Sequence, residues 1–501
     1  MAAGAGGAAA SLRLDSAPGR WVLAAAVLGS AMATLDATAV NVALPSIARD
    51  LDTDFAGLQW VVTGYTLTLA SLLLLGGSLG DRFGRRRAFV CGVVWFAAAS
   101  ALCATAPSAG VLVAARLLQG VGGALLTPGS LAVISASFCA DDRGRAVGAW
   151  SGLGGIAAAA GPFLGGWLVE AASWRWIFLL NVPLGAAVVA IALRHVPESL
   201  DPAATGQRID VVGALTGSVG LAVATYGLID RSAPVALAGA ALVIVFVVVE
   251  ARTPAPMLPL AVFANRLFSA TNLVTFVIYG ALGATLFLVA ITLQTGLAYS
   301  PLAAGGSLLP VTVIMLTLSS RSGALAQRTG PRLPLSIGPV VIGAGLGLLA
   351  RVEPGRSYAA TVLPALVVFG LGLAVTVAPL TATVLAAAET RRAGVASAVN
   401  NAVARTAGLL AVAAVPLLTG FDPERPVRPA AVVDGLHGVA RLAAVACVLA
   451  GGLAFATMPS RRMAPTGSVG SAPGRPTHHC PLDAPPLAVR TEDRPPGYAV
   501  R

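Results

Sequence analysis

Asp36 stands inside an apolar run, Leu35-Asp36-Ala-Thr38-Ala-Val-Asn41-Val-Ala-Leu-Pro45. A carboxylate at that depth in a bilayer costs roughly 2.5–3.5 kcal/mol on insertion scales, so it must face a cavity or a partner unless it snorkels to the surface. There it can take a proton from one side and release it to the other. Thr38 and Asn41 extend the polar stripe at helical spacing. A second charged residue lies in Arg116-Leu-Leu-Gln119-Gly120. A permanently charged guanidinium inside a membrane needs a carboxylate, carbonyls or water, and Gln119 shares its helical face. If Asp36 and Arg116 meet, proton loss from Asp36 is coupled to the local structure; spacing alone leaves that meeting open. Asn400, Asn401 and Arg405 form a further polar stripe, and Gln294 is a weaker candidate for which a structural role is as good a reading.

A different chemistry is concentrated in Gly77-Ser-Leu-Gly80-Asp81-Arg82-Phe-Gly84-Arg85-Arg86-Arg87, a short charged loop between two apolar runs. A degraded copy, Gly323-Ala-Leu-Ala-Gln327-Arg328-Thr-Gly330-Pro-Arg332, follows at one constant offset, with Gln327 in place of the acid. A repeat at that distance points to two related halves. Gly152, Gly154 and Gly155 precede Gly161-Pro162-Phe-Leu-Gly165-Gly166, where small residues allow close helix packing and Pro162 allows a bend. His478-His479-Cys480 lacks further ligands, so no metal site is expected. The five cysteines show no ligand spacing, and no Gly-Lys-Ser/Thr phosphate loop is present, which argues against ATP drive.

The elements that must position these residues are membrane helices. The 501 residues are 56% hydrophobic and only 11% charged, against roughly a quarter charged in soluble domains. Apolar runs of about 18 or more residues recur throughout. They fall near 21–41, 57–80, 88–106, 110–137, 146–169 and 175–194, then 209–230 and 233–251, then 266–293, 302–323, 334–351, 359–388, 394–419 and 437–458. The reading is an all-α integral membrane protein of about fourteen spans. A disordered N-terminus (1–20) precedes a six-helix bundle (21–195), a linker with two additional helices (196–258), a second six-helix bundle (259–458) and a disordered tail (459–501).

The net charge of +11 does not indicate nucleic acid, because the arginines flank apolar runs. Arginine alternates with the predicted side, which places both termini in the cytoplasm. No cleavable signal peptide is evident.

These stretches resemble the major facilitator superfamily, specifically its fourteen-helix drug:proton antiporter branch. The resemblance rests on the Gly77–Arg87 loop, on Asp36 to Pro45, on Arg116 to Gly120 and on Gly161 to Gly166. It extends to Gln59-Trp60-Val-Val-Thr-Gly-Tyr65 and Trp174-Arg-Trp-Ile-Phe-Leu-Leu-Asn181-Val-Pro183. In the second half it includes Pro259 to Phe268, Tyr299 to Gly305 and Gly394 to Asn401. It covers about 21 to 458. Two departures stand out: Ala157 replaces a glycine usual in the fifth-helix motif, and the repeated loop lacks its acid.

The resemblance implies a major facilitator fold of two six-helix bundles with two central helices, working by alternating access. It implies a monomer in the cell membrane, with the proton gradient as energy source and no cofactor. Asp36 would carry the proton and Arg116 would tune it. Asn41, Tyr65, Gln119, Gln294, Asn400, Asn401 and Arg405 would line the substrate cavity. Gly77, Gly80, Asp81, Arg82, Gly84, Arg85 and Arg86 would form a cytoplasmic gate, and Gly161, Pro162, Gly165 and Gly166 the packing and bend of helix five. An apolar cavity with few charges suits amphipathic, neutral or singly cationic compounds. The alternatives are a dedicated exporter of one endogenous metabolite or self-made antibiotic, and a proton symporter of the same fold. No catalytic constellation supports an enzyme.

Overall fold

Backbone in lipid has no water to bond, so each long apolar run must satisfy its own peptide groups, and the helix does so. The computed structural model describes residues 12–201, 209–387, 393–420 and 428–460. Among them, fourteen helices are long and apolar enough to cross a membrane. The first six are α1 (Ala17–Asp50), α2 (Phe55–Phe83), α3 (Arg85–Ala104), α4 (Ala109–Ser137), α5 (Asp141–Ala171) and α6 (Arg175–His195). Two follow, α7 (Val211–Ile229) and α8 (Ala233–Arg252). The last six are α9 (Arg266–Gly296), α10 (Pro301–Ala326), α11 (Arg332–Leu349), α12 (Val362–Ala387), α13 (Gly394–Ala413) and α14 (Pro429–Thr457). The number and the six-two-six order are those expected from the apolar runs.

Side chains at the helix starts supply acceptors for amides that have no partner within the helix. Ser16 caps α1 by accepting from the Gly19 amide at 3.1 Å, and Asp54 caps α2 from Gly57 at 2.8 Å. Asp210 caps α7 from Gly213 at 2.7 Å.

The expectation of disorder over residues 1–20 is corrected for 12–20. The Leu12 amide donates to the Ser137 carbonyl at 2.8 Å, and the Cys139 amide donates to the Leu12 carbonyl at 3.2 Å. The Leu14 amide donates to Asp142 Oδ2 at 2.9 Å. The segment is held because the α4–α5 junction offers it backbone and carboxylate partners, which no local sequence pattern reveals. Residues 1–11, the tail from 461 and the His478-His479-Cys480 cluster lie outside the described residues.

The repeat is visible as geometry. Gly84 ends α2 with φ +114°, and Gly330, with φ +85°, caps the helix that continues α10 to Thr329; both conformations favour glycine. The halves meet most closely at the end away from the arginine-rich loops. There Gln59 of α2 donates to the Val412 carbonyl of α13, Gln294 of α9 to the Val42 carbonyl of α1 at 2.7 Å, and the Leu302 amide of α10 to Glu170 of α5 at 3.0 Å. One apolar cluster at that end includes Leu44, Leu58 and Phe178 of the first half and Phe287, Leu288 and Val415 of the second. The central helix α7 packs Leu221 against Leu67 and Ala70 of α2 and Leu409 of α13.

Helix α5 shows what its small residues do. A Cβ on Gly161 would lie 1.9 Å from Thr38 Oγ1, one on Gly165 would lie 2.8 Å from the Ala39 Cβ, and one on Gly166 would lie 2.3 Å from the Pro301 carbonyl oxygen. The Pro162 carbonyl in turn sits where a Cβ on Gly305 would fall. Gly152, Gly154 and Gly155 face open space, so their expected packing role is corrected for this conformation. The far half of α5 is clamped along its glycines, whereas in the other half Trp150 holds α1 through Ser30 Oγ at 2.8 Å and the three glycines meet nothing. Accordingly Gly166→Leu should lower the thermal midpoint by several degrees, since forced overpacking costs about 1–3 kcal/mol. Gly155→Leu should leave it within about a degree; equal losses in a melting experiment would contradict this division of α5.

Candidate functional site

Asp36 and Arg116 meet. The Asp36 carboxylate lies against the Arg116 guanidinium in a direct ion pair, and each residue is 1% exposed. Two charges taken out of solvent repay their desolvation only when the remaining lone pairs and protons are also satisfied. Gln119 Nε2 donates to Asp36 Oδ1 at 2.8 Å, and Asn181 Nδ2 donates to the same oxygen at 3.3 Å. The guanidinium also donates to the Val61 carbonyl at 3.0 Å and to Gln119 Oε1 at 2.6 Å. Ser100 accepts from Gln119 at 2.8 Å and from Asn181 at 3.3 Å. The Arg116 guanidinium lies over the rings of Tyr65 at 4.4 Å and Phe178 at 5.6 Å.

Five helices therefore converge on one carboxylate: α1 supplies Asp36, α2 the Val61 carbonyl and Tyr65, α3 Ser100, α4 Arg116 and Gln119, and α6 Asn181. Protonating Asp36 would remove the charge that Arg116, Gln119 and Asn181 all address. The charge state of one atom group is thus tied to the packing of the whole first bundle. Ser100 and Asn181 were not singled out as site residues by sequence. Asn181 lies in the Trp174–Pro183 stretch, whose sequence assigns it no role, and Ser100 carries no signal, since serine is common in apolar helices.

The proposed cavity residues divide. A cavity of about 290 Å³ opens at the arginine-rich end between the halves. Leu73, Leu74 and Gly77 of α2, Leu131 of α4, Trp150 of α5 and Asn401 of α13 are among its lining residues. Asn400 is turned away from it, donating to Asn272 Oδ1 at 3.1 Å and to Thr275 Oγ1 at 2.9 Å of α9. Its expected place in the cavity is corrected: consecutive residues on a helix point about 100° apart, so Asn401 takes the lumen and Asn400 the bundle. Gln294 and Gln119 are likewise occupied, the first bridging the halves and the second holding Asp36. Asn41 donates weakly to the Ala37 carbonyl at 3.5 Å, and its buried Oδ1 has no partner among the described residues. Tyr65 is buried, with its ring on Arg116. Arg405 is half-buried one turn beyond Asn401.

The expected charged loop is corrected: Gly77 to Phe83 is the last turns of α2 and Arg85 to Arg87 the first turn of α3, with Gly84 alone between them, and this junction is clamped within its own half. Asp81 pairs with Arg85 at 2.8 Å. Glu198, after α6, accepts from the Arg86 amide at 3.0 Å and lies 3.7 Å from the side chains of both Arg86 and Arg87. The Arg86 guanidinium also donates to the Val196 carbonyl at 3.2 Å. The Arg85 amide donates to the Ser199 carbonyl and the Asp201 amide to the Asp81 carbonyl, both at 3.0 Å. The Glu198 carboxylate fills the space beside Gly84 that a Cβ would need. Arg82 lies over the Phe83 ring at 5.3 Å, and Gly80 ends the turn that Gly84 closes. Gly77, Gly80, Asp81 and Arg85 all line the cavity. In the second copy the Arg332 guanidinium lies over the Phe455 ring at 4.1 Å.

Arg116→Gln alone would strand a buried carboxylate, at a cost of about 3–5 kcal/mol. The double variant Asp36→Asn/Arg116→Gln should recover more than half of the lost thermal stability. A double variant no more stable than Arg116→Gln would show that the pair is not what holds the bundle.

Comparison with known proteins agrees with this architecture. Residues 26–412 match the model of the Major Facilitator Superfamily. The chain is 35% identical to the puromycin resistance protein pur8 of Streptomyces alboniger over 91% of this chain and 95% of that protein. It is 36% identical to the drug efflux pump JefA of Mycobacterium tuberculosis over 79% of each. A crystal structure of a peptide transporter, POT, in complex with sulfate superposes with a TM-score of 0.65 at 15% identity, covering 90% of this chain and 98% of that one. At that identity the superposition speaks for the fold alone. A fourteen-helix membrane protein with paired bundles and a cavity between them, matched over most of its length, is a transporter and not an enzyme: the chain belongs to the Major Facilitator Superfamily.

Proposed function

We propose that the protein is a proton-coupled antiporter that exports amphipathic drugs or antibiotics across the cell membrane by alternating access, working as a monomer with both termini in the cytoplasm. Export is supported by the relatives, which are named for resistance and efflux. Proton coupling is supported by one observation above the others: a carboxylate sealed inside the bundle and held by Arg116, Gln119 and Asn181. Protonation of Asp36 weakens three interactions at once, and the helices that made them can then rearrange. Release of the proton restores the pair. A cycle that admits the proton from one side and returns it to the other converts the gradient into conformational work.

The present conformation fits one half of that cycle. The halves are sealed at the end away from the arginine-rich loops, and the cavity opens at the loop end. With the termini in the cytoplasm this is the state that receives substrate from inside. Asp81 and Arg85 stand at its mouth, where closing of the halves would bring them against the second bundle.

A narrower reading, a dedicated exporter of one compound, is favoured by the relative named for puromycin resistance alone. A susceptibility panel separates the two. Protection confined to a single compound would support the narrower reading, and protection across unrelated scaffolds the broader one.

Asp36→Asn should abolish proton-driven accumulation in energised inverted vesicles, by about 100-fold or to background, while substrate still binds the purified protein. Uphill transport by the neutral variant would remove Asp36 as the carrier. Asp81→Ala should slow exchange in the same vesicles several-fold with binding affinity kept. A change at Gln327 should do little, because the second copy lacks the acid; equal effects would argue against an asymmetric gate.

A further inference from the structure

We infer that Arg405 recognises the acidic group of an anionic amphipathic substrate. The inference rests on the reading of this cavity as the transport route and names the class of compound it takes.

The negative charge expected to attract cations is not available. Asp36 has no exposed side-chain surface, and its oxygens are taken by Arg116, Gln119 and Asn181. Arg405 is in the opposite condition. It sits on α13 one helical turn, about 6 Å, beyond Asn401, which lines the cavity. It makes no hydrogen bond and no ion pair among the described residues, leaving five N–H donors unassigned. The Tyr65 and Tyr279 hydroxyls are also without hydrogen bonds there, and Arg405 is within electrostatic reach of both.

Arg405 thus stands one turn past the inner end of the cavity without an acceptor among the described residues, with Tyr65 and Tyr279 within its electrostatic reach. A guanidinium inside a membrane is tolerated where water or an anion completes it. Its planar fork matches a carboxylate in two parallel bonds. The rest of the ligand has a place as well. Leu73, Leu74, Leu131 and Trp150 offer an apolar wall, and the cavity of about 290 Å³ suits a small aromatic or polyketide-sized body. The same charge repels an ammonium, so the site selects against cations as well as for acids. This reverses the preference for neutral or cationic compounds expected from composition, because Arg116 cancels the acid on which that expectation depended.

Three probes with one apolar body test the charge alone: pyrenebutyrate, pyrenebutanol and pyrenebutylammonium. Their binding is measured by fluorescence on purified full-length protein in phosphatidylcholine nanodiscs, where no anionic lipid competes for Arg405. Wild type should bind pyrenebutyrate about 10-fold or more tightly than the ammonium. Arg405→Gln should lose about 10-fold or more for the acid and leave the alcohol within about twofold, and Arg405→Lys should recover part of the loss. Absence of pyrenebutyrate binding, equal affinity for the three probes, or an unchanged acid affinity in Arg405→Gln would overturn the inference. Should Arg405→Gln fail to fold, the order of the three probes on wild type decides. Uptake of pyrenebutyrate by energised inverted vesicles is read separately. Arg405-dependent binding without proton-driven uptake would overturn the antiport reading and leave the acid site standing.

Discussion

An ionised carboxylate and a guanidinium inside a lipid-embedded bundle are tolerable only together, and the pairing of Asp36 with Arg116 sets the terms for the first half of this protein. Neither charge reaches solvent, so every remaining donor and acceptor of the pair must be met by protein. Gln119 is placed one turn from Arg116 and returns to Asp36. Asn181 and Ser100 close the ring from α6 and α3. The consequence is mechanical as well as electrostatic. Five helices hold their relative positions through one titratable group, and a change in its charge is a change in how they pack.

The second constraint is the uneven contact between halves. Away from the arginine-rich loops, the glycines of α5 let α1 and α10 approach to backbone distance, and a continuous apolar cluster crosses from one half to the other. At the loop end the same helix α5 presents glycines to open space. Small residues do not force packing; they permit it where the partner helix arrives. The charged loop is tied to the segment after α6 through Glu198, which leaves its Asp81–Arg85 pair beside the open cavity rather than across it.

Tyr65 connects the two charged regions. Its ring lies on Arg116, while its hydroxyl is within electrostatic reach of Arg405. The buried Asp36–Arg116 pair of one bundle and Arg405 of the other therefore share a neighbour. This arrangement gives a physical route by which occupancy of the cavity and the state of Asp36 could influence one another, without a long chain of intermediates.

By itself the sequence determined the helices, their number and order, because runs of apolar residues in lipid have no other way to satisfy their backbone. It determined the repeat, confirmed where Gly84 and Gly330 both end their helices with positive φ. It also marked Asp36 and Arg116 as exceptional, because an isolated charge in an apolar run demands a partner. The identity of that partner is a long-range fact, decided only when α1 and α4 are brought side by side. The same holds for Glu198, distant in sequence from the loop it clamps, and for Ser100, which no local pattern distinguishes. Asn400 and Asn401 state the limit most plainly. Composition treats the two amides alike, yet helical geometry turns one into the α9 interface and the other into the cavity. Tertiary structure also decided that the charge of Asp36 is cancelled, by a neighbour 80 residues away.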